Sequence, residues 1–353
     1  MVLVSGGGIC AWHRATCAPV DDDDPERSLG LVTAADASTS TLASSATSTS
    51  LKDVVALGKP NIALMAVIVA AGTFLLSVPV IDAASLLRGL GGICGVALIV
   101  MGAGALNMLI ERDVDALMTR TQDRPLPAGR MAPTTAFIVG SVWCLAALPL
   151  LWTFSPLASA TGKAQGLTLG LGLFSLFLYV LVYTPLKRTS PWSLVVGAVP
   201  GAMPALMGGT LGAGHVEVAG IALFTLVFVW QLPHFLAISL YREPEYVRAG
   251  HKLFPTVVGV KITQVLMVAT TLPLCIFGVA LWPLGLGGPA YAFVAAVVGC
   301  WFSFIVIAGL VRSLPTRAHV DVWARKVFIG SLIWQTVVFG ALAVDRVVGA
   351  IFW

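Results

Sequence analysis

The stretch "GLGGICGVALIVMGAGALNMLIERDVDALMTRTQDRPLP" (Gly89–Pro127) joins a long apolar run to a dense group of charges. Residues 89–110 contain no Asp, Glu, Lys or Arg, and a helical crossing of a bilayer needs about 20 such apolar residues. Glu111–Asp115 then holds three acids and an arginine, and Arg120 and Arg124 follow. The stretch therefore predicts a membrane-spanning helix whose end carries a charged group at the membrane surface.

The whole chain has the composition of an integral membrane protein. Of its 353 residues, 58% are hydrophobic and 11% are charged, and the mean hydropathy is +0.92. Soluble proteins carry about 25% charged residues. The net charge of +4 is small and the basic residues lie in short loops, which argues against a nucleic-acid partner. The six cysteines show neither disulfide nor metal-ligand spacing.

Nine apolar segments are long enough to cross a bilayer, and we predict that each is a helix because backbone polar groups in lipid must be satisfied within the segment. The predicted fold is therefore all-α, a polytopic bundle of nine transmembrane helices. The fifth segment is rich in Gly and Pro and is expected to be kinked and packed inside the bundle. The segments are 61–81, 89–110, 134–154, 166–184, 192–212, 218–240, 260–282, 290–311 and 327–350.

The loop charges predict the orientation of the bundle. The N-terminal region and the loops after the even-numbered segments hold 18 of the 21 lysines and arginines. By the positive-inside rule this end is cytoplasmic, and so is the N-terminus. Past Asp82, six of the seven acids at this end lie in two groups, one after the second segment and one after the sixth.

The N-terminal region differs from the rest. "DDDDPER" (Asp21–Arg27) and "ASTSTLASSATSTS" (Ala37–Ser50) are polar, small and low in complexity, so they cannot bury enough apolar surface to order themselves. We predict a disordered cytoplasmic tail over residues 1–54 and a transmembrane domain over residues 55–353.

The first acidic group has the spacing of a metal site. If the second helix continues through it, Asn107, Glu111 and Asp115 stand at i, i+4 and i+8 and share one stripe, while Asp113 faces elsewhere. Hard oxygen ligands suit Mg²⁺, and the arginines beyond suit phosphate oxygens. The stretch thus predicts half of a metal–diphosphate clamp. The alternative is a solvated loop whose charges pair with one another.

Several motifs together resemble the UbiA superfamily of intramembrane prenyltransferases, and within it the haem-farnesylating branch. Glu111 and Glu245 stand where superfamily members often have aspartate. Glutamate keeps the negative charge of aspartate but is longer by one methylene. The similarity covers roughly residues 55–350. The motifs are "NMLIERDVD" (Asn107–Asp115), "MTRTQDRPLPAG" (Met118–Gly129), "GKPNI" (Gly58–Ile62), "YTPLKRTSPW" (Tyr183–Trp192), "VGAVPGAMPALMG" (Val196–Gly208) and "WQLPHFLAISLYREPEYVRAGHKLFP" (Trp230–Pro255).

The resemblance implies an enzyme that uses Mg²⁺ to transfer a farnesyl group from farnesyl diphosphate to the 2-vinyl group of haem B, giving haem O. It implies membrane lipid as the surroundings, a bacterial-type inner (plasma) membrane as the location, and a haem A synthase or oxidase-assembly proteins as partners. The catalytic and metal-binding candidates are Asn107, Glu111, Asp115 and Glu245, with Glu243 as a further metal ligand.

Other residues are candidates for holding the two substrates. The diphosphate and the haem propionates are both anionic, so the sequence does not divide the cations between them. These cations are Arg120, Arg124, Lys187, Arg188 and Arg242.

Three aromatic side chains have two possible roles each. Tyr183 and Tyr246 are expected either to stabilise an allylic cation through their ring faces or to pack. His234 is either a hydrogen-bonded core residue or a group that contacts the haem, as axial ligand or at a propionate.

Two rival functions remain open at this point. One is a related prenyltransferase with a quinone precursor or another lipophilic acceptor, against which the Trp230–Pro255 motif argues. The other is a transporter, which would place charges near the bilayer midplane, whereas here the acids lie at helix ends.

Overall fold

The structure is a computed structural model that describes residues 49–155, 166–312 and 314–352, with side chains up to residue 348. Within these ranges nine helices are long and apolar enough to cross a membrane, which confirms the predicted fold. They are α1 (Pro60–Ser77), α2 (Ala83–Ile110), α3 (Pro133–Thr153), α4 (Leu167–Leu186), α5 (Ser193–Ala213), α6 (Val218–Tyr241), α7 (Val260–Ala280), α8 (Pro289–Val311) and α9 (Arg317–Phe352).

A short helix, Leu51–Leu57, precedes α1. The Ser50 side chain caps it by accepting a hydrogen bond from the Asp53 backbone N–H, and Leu57 is buried. Residues 51–54 are therefore helical, which corrects the end of the predicted tail. The rest of the tail prediction, up to residue 48, lies outside the described residues.

Two helices begin well before their predicted starts. α2 begins at Ala83 because Asp82 and Ser85 form a reciprocal capping box. α9 begins at Arg317 although its first turns are polar. One side of these turns is nevertheless apolar and buried, with the spacing of a single helix face: Val320, Trp323, Ala324 and Val327.

Helix α5 lies inside the bundle, as its composition predicts, and Pro200 and Pro204 fall within it. Its small residues permit close approach to its neighbours. A Cβ on Gly208 would lie 2.1 Å from the Ala70 carbonyl oxygen of α1, and one on Gly209 would lie 2.9 Å from the Gly220 Cα of α6. Packing of small residues lets helix backbones approach closely in a bilayer, where lipid removes the hydrophobic driving force.

One end of the bundle carries the motif-bearing loops. The loop after α2 contains a helical turn, Arg112–Asp115, and the loop after α6 contains the short helices Glu243–Arg248 and Phe254–Val258. These two loops pack together through the apolar side chains of Val114, Met118, Tyr246 and Ala249. The two predicted acidic groups therefore meet at one end of the bundle.

Candidate functional site

The predicted polar stripe continues past the end of α2. Although α2 ends at Ile110, the Glu111 N–H donates to the Asn107 carbonyl at 2.9 Å and the Asp115 N–H donates to the Glu111 carbonyl at 2.7 Å. The three side chains therefore stay on one side, and they are buried, with exposed fractions of 0% for Asn107, 6% for Glu111 and 2% for Asp115. Asp113 instead lies in solvent and pairs with Arg112.

Helix α4 supplies the opposite wall. Lys187, which follows α4, donates from Nζ to both carboxylate oxygens of Glu111, at 2.7 and 3.0 Å. Thr184 accepts a hydrogen bond from Asn107 Nδ2 at 2.8 Å and donates to the Tyr179 carbonyl at 2.8 Å. Residues 178–183 form a π-helical turn, a feature that occurs frequently at functional sites.

Lys59 also contacts these side chains, although it was not among the predicted site residues. Its Nζ donates to Asn107 Oδ1 and lies 5.9 Å from the centroid of the Tyr179 ring. Its backbone is left-handed, with φ 50° and ψ 64°, and in the described chain it is the one residue other than glycine with a positive φ. Such strain concentrates at functional sites. The signals in the sequence were the lysine directly before the proline that opens α1 and its place in the motif GKPNI (Gly58–Ile62).

Asp115 is held by the loop that follows it. Arg124 Nη1 donates to Asp115 Oδ2 at 2.6 Å, and the Thr121 hydroxyl donates to the Asp115 carbonyl at 2.8 Å. The loop is fixed further by Arg130, which pairs with Asp53 at 3.0 Å. We call the whole group the inner cluster. It consists of Asn107, Glu111 and Asp115 with the cations Lys59, Arg124 and Lys187.

Opposite charges in the inner cluster stabilise one another, whereas its like charges oppose one another. Burial raises the pKa of Glu111, but the charge and hydrogen bond of Lys187, with a contribution from Lys59, bring it below its usual value. Burial would lower the pKa of Lys187, yet the neighbouring Tyr183 and Glu111 raise it above its ordinary value. Burial, together with the charges of Lys187 and Arg124, lowers the pKa of Lys59 to about 7.

The second acidic group lies close by but is paired separately. Arg242 donates to Glu245 at 2.7 Å, while Glu243 pairs with Arg317 of α9. Arg120 reaches across from the first loop and donates to the Tyr246 hydroxyl at 3.4 Å. In the described part of the chain, no three His, Cys, Asp or Glu side chains converge closely enough to hold a metal ion by themselves. The structure thus does not bring Glu243 and Glu245 into the inner cluster.

The profile of the UbiA prenyltransferase family matches residues 63–332, which is most of the chain and includes both acidic groups. The chain belongs to the UbiA prenyltransferase family. It is 45% identical over 296 residues to a protoheme IX farnesyltransferase of Anaeromyxobacter dehalogenans, a match that covers 84% of this chain and 94% of the relative. A protoheme IX farnesyltransferase of Myxococcus xanthus is 37% identical over 84% of this chain and 95% of its own.

Solved UbiA structures share the fold. A digeranylgeranylglyceryl phosphate synthase superposes with a TM-score of 0.67 at 17% identity, covering 84% of this chain and 98% of its own. A UbiA homolog from Archaeoglobus fulgidus bound to GPP and Mg²⁺ gives a TM-score of 0.55 at 15% identity, with coverages of 82% and 99%. At these identities the comparison supports the bundle architecture alone.

In this UbiA chain His234 packs between α6 and α9. Its Nδ1 is 2.8 Å from the Ser331 hydroxyl, and its ring stacks near Trp230 and Phe328, with centroid distances of 4.8 and 4.7 Å. Trp230 Nε1 donates to the Ser331 carbonyl at 2.8 Å. These contacts are those of a hydrogen-bonded core residue, which is the first of the two roles considered for His234.

The donor set of the inner cluster has the chemistry that Mg²⁺ prefers. It offers one amide oxygen and two carboxylates, all buried at the end of one helix, and hard oxygens are the ligands that Mg²⁺ prefers. In the structure ammonium and guanidinium groups contact these same oxygens, so the pocket already accommodates positive charge. We therefore judge that these residues fit a divalent cation.

Proposed function

We propose that the chain transfers the farnesyl group of farnesyl diphosphate to the 2-vinyl group of haem B in a Mg²⁺-dependent reaction. The vinyl carbon forms a bond to farnesyl C1, diphosphate leaves, and water adds to the resulting cation to give the hydroxyethylfarnesyl group of haem O. The proposal is supported by the names of the relatives and, above all, by the buried inner cluster at the mouth of the bundle.

The oxygens of Asn107, Glu111 and Asp115 are the proposed metal ligands, directly or through water. A bound Mg²⁺ would stabilise the negative charge that grows on the leaving diphosphate. Glu245 is proposed to complete the site from the second loop, because its carboxylate lies within the electrostatic influence of Arg120 of the first loop. Glu243 is the weaker candidate, because its carboxylate pairs with Arg317.

The cations around the inner cluster are proposed to hold the diphosphate. Lys59, Arg124 and Lys187 lie around the acidic side chains themselves. Arg120 reaches across from the first loop, and Arg242 approaches from the second loop. Cations placed around the leaving oxygens lower the barrier, because they bind the developing charge more strongly than the ground state. Lys59 joins the group on the evidence of its buried contact and its left-handed backbone.

Aromatic rings of α4 are proposed to shield the allylic cation. The rings of Tyr179 and Tyr183 lie 5.3 Å apart beside the inner cluster, and the Tyr183 ring closely approaches Gly197 of α5. Ring faces stabilise positive charge, and an apolar wall keeps out water before the vinyl group attacks. We propose that the site lies at the cytoplasmic end, on the distribution of lysine and arginine. The resemblance to the bacterial haem-farnesylating branch further favours a bacterial-type inner membrane.

The test is a product assay with the full-length chain. Membranes that carry the protein are incubated with haem B, farnesyl diphosphate and Mg²⁺, and haem O is detected by mass. Membranes carrying Asp115→Asn at equal protein content should form haem O at a rate lower by on the order of a hundredfold or more. A parallel incubation replaces haem B with a quinone precursor. Prenylation of that precursor, with no haem O from haem B, would refute the proposed acceptor but would still identify the chain as a prenyltransferase.

A further inference from the structure

A surface groove of about 490 Å³ opens beside the inner cluster. Its walls come from the loop after α4 and from the chain that follows the short helix Glu243–Arg248. The groove is tied to the inner cluster through the backbone, because the Lys252 N–H donates to the Lys187 carbonyl at 3.1 Å. Six of its lining residues are Thr189, Val247, His251, Lys252, Thr256 and Val257.

The lining suits an anion attached to an apolar body. Lys252 is exposed, Val247 and Val257 supply apolar surface, and the described lining contains no Asp or Glu. Arg188, which precedes a lining threonine, adds an exposed second cation at the rim. A cationic groove without an acid attracts carboxylate or phosphate groups, and its apolar walls favour a ligand with hydrophobic surface.

Two further observations point to a ligand at this place. The His251 side chain lines the groove and is only 7% exposed, yet its Nδ1 has no hydrogen-bond partner among the residues described. A buried polar atom without a partner is costly. Because Nδ1 itself has almost no accessible surface, a ligand in the groove would hydrogen-bond to it once the imidazole turns toward the groove. In addition, Trp192 is 61% exposed next to the groove and packs edge-on against Phe254, and exposed tryptophans mark the level of the membrane–water interface.

We propose that this groove holds the carboxylates of the tetrapyrrole acceptor, with Lys252 paired to one of them. The proposal rests on the proposed function and deepens it. The deep cations Lys59, Arg124 and Lys187 are already engaged with Asn107, Asp115 and Glu111, so they belong to the metal and diphosphate. The exposed cations of the groove remain for an acceptor whose apolar ring lies in lipid and whose carboxylates reach the surface. Of the cations that the sequence leaves undivided, Arg124 and Lys187 then go to the metal and the diphosphate and Arg188 goes to the rim of the acceptor groove, where Lys252 joins it.

The test compares steady-state kinetics of the full-length protein and Lys252→Glu in lipid vesicles. We expect the KM for haem B to rise about tenfold, because a charge-assisted contact becomes repulsive, while kcat and the KM for farnesyl diphosphate stay within about twofold. The substitution keeps the backbone bond to Lys187. The matched control is Lys326→Glu, which makes the same charge change at an exposed position of α9 outside the groove lining and should leave all constants unchanged.

A second acceptor identifies the group that is bound. With the dimethyl ester of haem B, which lacks the charged carboxylates, the wild-type protein and Lys252→Glu should have equal KM values. An unchanged KM for haem B in Lys252→Glu, or a difference that persists with the ester, overturns the proposal. A difference that follows the anionic lipid content of the vesicles indicates a lipid phosphate and overturns it as well. Spectral titration measures the binding of haem B to the wild-type protein and to Lys252→Glu without turnover. It therefore tests the groove even if the chain makes no haem O, an outcome that would refute the proposed function alone.

Discussion

Lys187 Nζ donates to both carboxylate oxygens of Glu111, at 2.7 and 3.0 Å, and thereby ties the end of α4 to the end of α2. Both side chains are largely buried, with exposed fractions of 19% and 8%. Removing ions from water is costly, and their attraction offsets the cost only while both partners are present. The pair therefore makes the geometry of the inner cluster sensitive to either charge.

The first prediction concerns this pair. Lys187→Met leaves the Glu111 carboxylate buried without its main partner and should lower the free energy of unfolding by about 3–5 kcal/mol. The double variant Lys187→Met/Glu111→Leu removes both charges and should recover most of that loss, although it cannot support catalysis. Unfolding of the purified protein in mixed micelles of increasing SDS content measures both effects.

The matched control for Lys187→Met is Arg188→Met. Arg188 is the neighbouring cation but is exposed, so its loss should change the free energy of unfolding by less than about 0.5 kcal/mol. Equal losses for Lys187→Met and Arg188→Met would show that the bond to Glu111 contributes nothing specific.

Much of the fold follows directly from local sequence rules. The nine helices follow because each apolar run has the length of a bilayer crossing and must satisfy its own backbone. The misplaced starts of α2 and α9 have a physical cause. The capping box at Asp82 and the apolar face that contains Val320 and Trp323 lie in stretches whose mean hydropathy is lowered by charged side chains.

The site was predictable only in part. Asn107, Glu111 and Asp115 share a helical stripe, so their convergence follows from a period of 3.6 residues. Lys187 and Lys59 reach them from 76 and 48 positions away in the chain, and no local periodicity specifies such contacts. The pairing of Glu243 with Arg317 is likewise set by the packing of α6 against α9, which explains why the Glu243 carboxylate is directed away from the inner cluster.

The second prediction tests the close packing of α5. A Cβ at position 208 would overlap the Ala70 carbonyl of α1 at 2.1 Å, so Gly208→Ala must push two helices apart and should cost about 1–3 kcal/mol. The control is Gly72→Ala on α1, where a Cβ would meet nothing within 4 Å and helix propensity favours alanine. We expect a lower Tm for the first variant and an equal or higher Tm for the second. Equal Tm values would contradict the packing.

The third prediction is a pH dependence at the helix Leu51–Leu57. Hydrogen bonds from Ser50 and then from Arg130 hold the pKa of Asp53 below its usual 3.8, against the opposing effect of burial. Because the folded-state pKa is the lower one, this contribution is present above about pH 4 and is lost as the pH falls through the folded value. Amide exchange in this helix, corrected for intrinsic rates, should therefore accelerate at acid pH.

Asp53→Asn tests that assignment. The variant should exchange faster at neutral pH and lose the acid-dependent acceleration. Asp82→Asn, which makes the same charge change at the N-cap of α2, serves as a control and should leave exchange in Leu51–Leu57 unchanged. Acid acceleration of equal size in Asp53→Asn would assign the effect to another group.

The fourth prediction concerns the metal. Chelation with EDTA should abolish haem O formation, and Mg²⁺ should restore it better than Ca²⁺, because Mg²⁺ takes shorter bonds in a stricter octahedral arrangement. The fold should survive chelation, since Arg124 and Lys187 already pair with the carboxylates of Asp115 and Glu111. An unchanged Tm with EDTA checks this. Full activity in EDTA would remove the divalent cation from the mechanism.

The fifth prediction uses two acids that stand two positions apart. The Asp115 side chain is 2% exposed and held by Arg124, whereas the Asp113 side chain is 81% exposed and pairs with its neighbour. Asp115→Asn keeps the shape but removes the charge of a proposed metal ligand, and it should lower kcat by on the order of a hundredfold or more. Asp113→Asn should stay within about twofold, because a solvent-exposed pair contributes little. The two variants carry the same Asp→Asn change at positions only two residues apart. Equal losses of kcat would therefore place the chemistry outside the stripe formed by Asn107, Glu111 and Asp115.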